Sequence, residues 1–242
     1  MTRLFNGIVA FGSALLLAVT LIGAGFAAVA IPDAATATLS RAFSGCDQPN
    51  TPFTADELAS MAIAGKHYTF DDNDREKLDA AIAEANAAAE ADGRADVLNG
   101  ESDARSLPAD AISHLDDVYR VASVAKPALV IVAALCIAGL AHVAVRISRR
   151  ALGRTLMAGG GLVLAAFCAL GAWAVIDFDG LFAAFHGLFF QAETWTFPYD
   201  SLLITLYPTA FWMGMGGIWL AVTCIASIIC IIVGRLLRSE TE

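Results

Sequence analysis

Two histidines and one aspartate hold the best prospects for chemistry in this 242-residue chain. Asp117 follows His114 by three residues, so on a helix the two side chains share a face. A carboxylate there can orient the imidazole and raise its basicity, which prepares a base to take a proton from a nucleophile. His186 stands within a run of phenylalanines, Phe178, Phe182, Phe185 and Phe189, whose spacings of four, three and four make one apolar stripe on a helix. The stripe has two readings. It is an interfacial anchor with Trp195 and Tyr199 in an aromatic belt, or a wall for acyl chains beside an ionisable group. His114, Asp117 and His186 also form a two-histidine, one-carboxylate set of the kind that holds a metal. Other templates fit worse: the sequence has no Gly-x-Ser-x-Gly elbow, no His-Glu-x-x-His helix and no metal-binding cysteine pair. His67 and His142 lack comparable company.

The elements that must position these residues are set by composition. Hydrophobic residues make up 57% of the chain and charged ones only 16%, outside the usual soluble range. Four runs, 8–31, 128–145, 156–176 and 210–233, approach the ~20 apolar residues needed to cross a bilayer, and none contains Asp, Glu, Lys or Arg. The formal net charge of -9 is unevenly spread. Arg146, Arg149, Arg150 and Arg154 fill the link between the second and third runs, and Arg235 and Arg238 follow the fourth. Nearly all the acids lie in 32–126 and 177–208. The positive-inside rule therefore predicts cytoplasmic termini, with Arg3 in agreement, and an extracytoplasmic acidic region.

Ala27, Ala28 and Ala30 imitate a cleavage site, but the first apolar run is longer than a usual signal-peptide core. Ser44-Gly45-Cys46 imitates the end of a lipoprotein-processing box, yet a polar stretch separates it from the apolar run. Cys136, Cys168, Cys224 and Cys230 fall inside the runs and Cys46 stands alone outside, so no disulfide framework is implied.

The predicted fold is an all-α integral membrane protein with four transmembrane helices and a small helical extracytoplasmic domain between the first and second. Its expected divisions are 1–31 (first span), 32–126 (acidic domain) and 127–242 (three further spans with an interfacial segment at 177–208). In the acidic domain, Thr54 and Glu57 have capping-box spacing, predicting a helix over 54–64. Asp74 opens a second helix over 74–91, and Gly93 is a plausible stop. A third begins between Ser106 and Asp110 and runs through His114, with Pro127 kinking it or starting a new helix. Gly159, Gly160 and Gly161, like Gly214, Gly216 and Gly217, suggest close helix packing. The turn between the second and third spans is centred near Arg150, and His114 and His186 each lie 36 residues from it. In an antiparallel hairpin such residues stand at the same height, so the two imidazoles can meet.

At these positions the chain resembles a family of bacterial four-helix membrane proteins, the lipoprotein intramolecular transacylases called Lit. The family pattern has His-Met-x-Asp-Val before the second span, where this chain has His114-Leu115-Asp116-Asp117-Val118. A second element, Phe-His-x-x-Phe-Phe, reads Phe185-His186-Gly187-Leu188-Phe189-Phe190. Trp195-Thr196-Phe197, Asp200 with Leu202-Leu203-Ile204, and Tyr207-Pro208 before Phe211-Trp212 complete it. Leu115 replaces the expected Met, and Ala111 stands where a Glu is expected. The resemblance implies transfer of one acyl chain from the diacylglyceryl group of a lipoprotein to its own N-terminal cysteine amine, leaving a lyso form. It implies His114 and His186 as catalytic base and acid in an undecided order, with Asp117 orienting His114. It also implies Phe182, Phe185, Phe189, Trp195 and Asp200 as substrate-binding residues. No soluble cofactor or metal is required, and the partners are membrane lipids and diacylated lipoproteins in a bacterial cell membrane.

A competing reading from another class is a non-catalytic assembly or binding module whose acidic domain recruits a partner. Transport is weaker, because transporters place ionisable residues near the midplane and only His142 lies within a span. The charge asymmetry carries a direct test. With single cysteines near Asp74 and near Arg150, on a background lacking the native ones, an impermeant thiol reagent is expected to label the Asp74 site in intact cells and spare the Arg150 site. The opposite pattern overturns the predicted topology.

Overall fold

The computed structural model describes residues 2–94 and 102–239, and among these the regular structure is all helical, with no strand. In chain order the helices are α1 (Thr2–Ala30), α2 (Asp33–Phe43), α3 (Ala55–Phe70), α4 (Arg75–Ala91) and α5 (Ala109–His142). They continue with α6 (Arg149–Ile176), α7 (Phe178–Phe189), α8 (Leu202–Leu206) and α9 (Thr209–Ser239). A short 3-10 turn at Ser102–Ala104 precedes α5, and a π-helical turn at Val143–Ile147 ends it. Four helices are long and apolar enough to cross a membrane: α1, α5 with its π-helical extension, α6 and α9. The chain is thus a multi-pass, all-α membrane protein. Part of the acidic domain, residues 95–101, lies outside the described residues.

Contacts gather into two units, which are Met1–Ala28, Ala125–Phe182 and Ile218–Glu242, and Val29–Val124 with Ala183–Gly217. The first holds the apolar helices. Ala18, Val163 and Phe167 form its buried centre, with Trp219 against Phe167 at 5.2 Å and its indole donating to the Ile22 carbonyl at 3.0 Å. Glycine sets the spacing of α6 and α9. A Cβ on Gly153 would strike the Gly234 carbonyl oxygen, and a Cβ on Gly234 would strike that of Gly153, so here backbone meets backbone. Gly159 and Gly160 are also close-packed, against Leu17 and the Ser227 carbonyl, but Gly161, Gly216 and Gly217 face open space. The last three correct the packing expectation: one face of a helix meets a neighbour, and these residues lie on other faces. The turn between α5 and α6 falls at Ser148, whose hydroxyl caps α6 by accepting from the Ala151 amide at 3.0 Å.

The second unit is the acidic one. The capping box forms as its spacing predicts: the Thr54 amide donates to Glu57 at 2.7 Å and the Glu57 amide donates to the Thr54 hydroxyl at 3.3 Å. The helix it opens, α3, runs further than expected, to Phe70. Arg94 then closes on Glu57 at 2.8 Å and 3.0 Å and holds that carboxyl below its usual range. Asp74 caps α4, whose alanine-rich face buries Ala85 and Ala89 against a core that includes Met61, Leu78 and Leu202. Gly93, at φ 68°, ends the turn after α4 in a conformation suited to glycine. Pro127 lies inside a continuous α5 rather than starting a new helix. The sequence reading missed α2. Its first turn carries Asp33, which pairs with the buried Lys66 and accepts from His67 at 2.9 Å.

Residues 183–217 pack with 29–124, whereas the sequence reading attaches 177–208 to the membrane helices. Backbone and side-chain hydrogen bonds account for the difference. The Gly45 amide donates to the Thr205 carbonyl at 2.8 Å, Gln48 donates to the Tyr199 carbonyl at 2.9 Å, and the Tyr207 hydroxyl donates to the Ala62 carbonyl at 2.7 Å. These long-range bonds join chain segments with no shared periodicity.

Leu78 is fully buried at the centre of this unit. Leu78→Ala is expected to cost about 2–5 kcal/mol, and loss of the Thr54 cap in Thr54→Ala about 1 kcal/mol. Pulse proteolysis of detergent-solubilised protein across a urea series reads both. Equal, negligible effects would contradict this core.

Candidate active site

His114 sits in the second turn of α5, between the core residues Ala111, Ile112 and Leu115. Both departures from the family pattern, Ala111 and Leu115, are buried in this core; burial accounts for an apolar Ala111 in place of Glu, and nothing in the structure explains Leu115 in place of Met. Asp116, two residues further on, is held from α3 and the turn after it: the Tyr68 hydroxyl donates to it at 2.6 Å and the Asn73 amide at 3.3 Å. Asn73 adopts a φ of 55°, which Asn tolerates better than most residues, and also donates to the Tyr68 carbonyl. This network fixes α5 around its axis where His114 projects. Neither Tyr68 nor Asn73 was singled out from the sequence, because their partner is reached only through the tertiary fold.

His186 comes from α7. Asp177 caps that helix, accepting from the Gly180 amide at 2.8 Å, and a Cβ at position 180 would run into the same carboxylate. The two imidazoles meet, with ring centroids 6.2 Å apart and planes 28° from parallel, although the turn falls at Ser148 rather than Arg150 and His186 stands on α7, beyond the end of α6. Aromatic rings enclose them. Phe190 stands edge-on to His114 at 5.0 Å and Phe197 lies at 5.6 Å from it, while Trp195 lies 4.7 Å from His186 and Phe185 5.6 Å. Phe190 and Phe197 were present in the sequence motif but not read as ring partners. The signal for them is the cluster of aromatics on both sides of Trp195.

His114 is only 8% exposed, and its Nδ1 has no hydrogen-bond partner among the described residues. The first part of α5 carries Asp110, Asp116, Asp117, Arg120 and Lys126, so it lies outside the hydrocarbon-crossing stretch that begins at 128. Burial pushes the His114 pKa down to about 4, and the neighbouring His186 pushes the same way. Asp117 opposes both, more weakly. The imidazole is therefore neutral near neutral pH and able to accept a proton.

No hydrogen bond joins His114 to Asp117, so the carboxylate expected to orient the imidazole does not hold it by contact. Asp117 instead accepts from Arg120 at 2.6 Å, because the i,i+3 spacing suits the longer guanidinium and keeps both charges towards water. His114 is oriented by packing rather than by a carboxylate. Of the other predicted residues, Phe185 and Phe189 contact each other at 5.2 Å and are about half exposed, and Phe182 stacks on Phe178 at 6.0 Å. Asp200 is exposed in the turn before α8. Among the described residues, no group of three or more His, Cys, Asp or Glu side chains is gathered for a metal ion.

The family model described as "Lipoprotein intramolecular transacylase Lit" matches residues 89–212. No curated protein matches the chain. Among solved structures, the membrane integral lipoprotein intramolecular transacylase Lit from Bacillus cereus is similar at a TM-score of 0.74 and 16% identity, over 98% of this chain and 97% of that one. A variant of the same Bacillus cereus protein with a histidine replaced by arginine matches at 0.67 and 16% identity, over 99% and 95%. A second variant, with a histidine replaced by alanine, matches at 0.69 and 16% identity, over 99% and 96%. At that identity the structural likeness is one of fold.

The electrostatics of the pair are open to measurement. With labelled histidines in detergent micelles, the His114 resonance is expected to titrate near pH 4. His186→Ala removes a repelling positive charge and should raise that value, whereas Asp117→Asn removes an attracting negative charge and should lower it. Titration of His114 at the ordinary pH of about 6.5 would contradict the enclosed site.

Proposed function

The chain belongs to the lipoprotein intramolecular transacylase family, Lit, and we propose that it moves an acyl chain within a bacterial lipoprotein with His114 and His186 as its acid and base. The observation that carries the assignment of residues is the pair of imidazoles 6.2 Å apart, brought from α5 and α7 into one aromatic enclosure. In this reading the diacylated lipoprotein enters with its ester carbonyl and N-terminal cysteine amine at the imidazole pair. One imidazole takes a proton from the amine. The nitrogen attacks the ester carbonyl, a tetrahedral oxyanion forms, and the ester C–O bond breaks as the amide C–N bond completes. The other imidazole gives a proton to the departing glyceryl oxygen. One bond is made and one broken, and the proton count is unchanged. The products are an N-acyl group and a free glyceryl hydroxyl on the same molecule.

The enclosure suits this chemistry. A neutral His114 can accept a proton at neutral pH, and the surrounding rings lower the local dielectric around the developing charges. The half-exposed faces of Phe185 and Phe189 suit acyl chains, with Trp195 against His186 and Phe182 on the same helix, α7. Asp200 is proposed as a polar contact to the substrate. The proposed orientation has both termini in the cytoplasm and the acidic domain outside, facing the leaflet where lipoproteins are displayed. No soluble cofactor enters the reaction.

Mass spectrometry of lipoprotein N-termini provides the test. His114→Ala and His186→Ala are each expected to abolish the N-acylated lyso product while insertion and abundance stay near wild type, since residues acting as a unit fail together. Phe185→Ala and Phe189→Ala are expected to weaken substrate binding by about 1.5–3 kcal/mol each, seen chiefly in KM. Full product from the double histidine variant would end the mechanism. Absence of product from the wild type would return the non-catalytic reading to first place.

A further inference from the structure

Two carboxylates follow His114 on α5, and the structure treats them differently. Asp116 is committed, accepting from Tyr68 at 2.6 Å and from Asn73 at 3.3 Å. Asp117 is not. Among the described residues it bonds to Arg120, at 2.6 Å, and the two side chains are 34% and 74% exposed. An ion pair so open to water is weak and exchanges readily. Asp117 nevertheless stands one helical turn from His114 and is close enough to act on it electrostatically. A negative charge one helical turn from His114, paired with a displaceable cation and making no bond to the histidine, is suited to receive a cation from outside.

The proposed substrate brings one. An α-amino group has a pKa of about 8, so it arrives mainly as an ammonium ion. It releases that extra proton to water to become the amine, and the nitrogen must already be held close to the imidazole that takes the next proton during attack. We propose that Asp117 is the docking point for the substrate's α-ammonium group, which takes the place of the Arg120 guanidinium. This rests on the acyl-transfer reading and deepens it, because it specifies how the enzyme recognises a free amine on an otherwise lipid-like substrate. Arg120 then acts as a place-holder that neutralises Asp117 when the site is empty. Asp117 contributes binding and position, and the imidazoles carry the proton transfers.

The test uses the full-length protein in lipid nanodiscs at pH 7 and two synthetic probes. Both are cysteinyl peptides carrying a glyceryl group with ether-linked chains, which cannot transfer an acyl group; one has a free α-amine and the other is N-acetylated. Wild type is expected to bind the free-amine probe roughly tenfold more tightly, the size of one charge-assisted hydrogen bond. Asp117→Asn should abolish that preference and leave affinity for the acetylated probe unchanged. Asp117→Glu should restore part of it, and Arg120→Ala should tighten free-amine binding by removing the competitor. If Asp117→Asn weakens both probes equally, or neither, the docking role is overturned, as it is if Arg120→Ala weakens the free-amine probe. Product analysis with the ester substrate separates the two proposals. An amine preference that depends on Asp117, without acyl transfer by wild type, overturns the function and keeps the docking site. Acyl transfer without that preference overturns the docking site alone.

Discussion

A hydrocarbon layer accepts only backbone whose amides and carbonyls are bonded within the segment, and it penalises any ionised side chain. This one constraint shapes the whole chain. Four apolar runs without Asp, Glu, Lys or Arg become helices, and nearly all carboxylates and most cations are displaced into the connecting segments. Chemistry that needs imidazoles, a carboxylate and a guanidinium therefore has to be assembled from those segments. The polar connections fold into a unit with its own core, built from Met61, Leu78, Leu202 and their neighbours. His114 and His186 belong to that unit and reach each other there.

The enclosure of His114 shows how such a site is held without an orienting carboxylate. Catalytic histidines are commonly aligned by a hydrogen bond to one ring nitrogen. Here Nδ1 has no partner among the described residues, and the ring is placed by Phe190, Phe197 and the second imidazole. Rotation of α5 is limited from its other side by Tyr68 and Asn73 acting on Asp116. Packing and a distant hydrogen-bond network thus share the work. The cost is desolvation of the imidazole, which keeps it neutral, and neutrality is what a proton acceptor needs.

Much of this was legible in the sequence wherever the signal is local or periodic. Apolar runs give the spans, the Thr54 and Glu57 spacing gives the start of α3, and Asp74 gives the start of α4. The equal count from Arg150 anticipates the meeting of His114 and His186, although the turn itself falls at Ser148 and His186 stands on α7 rather than on the α6 arm. Three features were not legible. The partner of Asp117 depends on side-chain reach, and at i,i+3 Arg120 competes with His114 for the same carboxylate. Helix α2 is short, and the pairing of Asp33 with Lys66 and His67 becomes visible only when α3 lies beside it. The affiliation of residues 183–217 rests on hydrogen bonds such as that from Tyr207 to Ala62, which link positions without any shared pattern.

The meeting of Gly153 and Gly234 has a consequence for how this sequence can drift. Each residue's carbonyl occupies the space where the other's Cβ would stand. Most tight contacts can be repaired after one partner grows, by a second change that shrinks the other. Here that route is closed, because no residue is smaller than glycine and the obstruction is main chain. A substitution at either position must push α6 and α9 apart along their length, and only a rearranged helix pair could absorb it. The two positions therefore behave as a single unit of inheritance, fixed together, with no sequence of compensated single steps leading away.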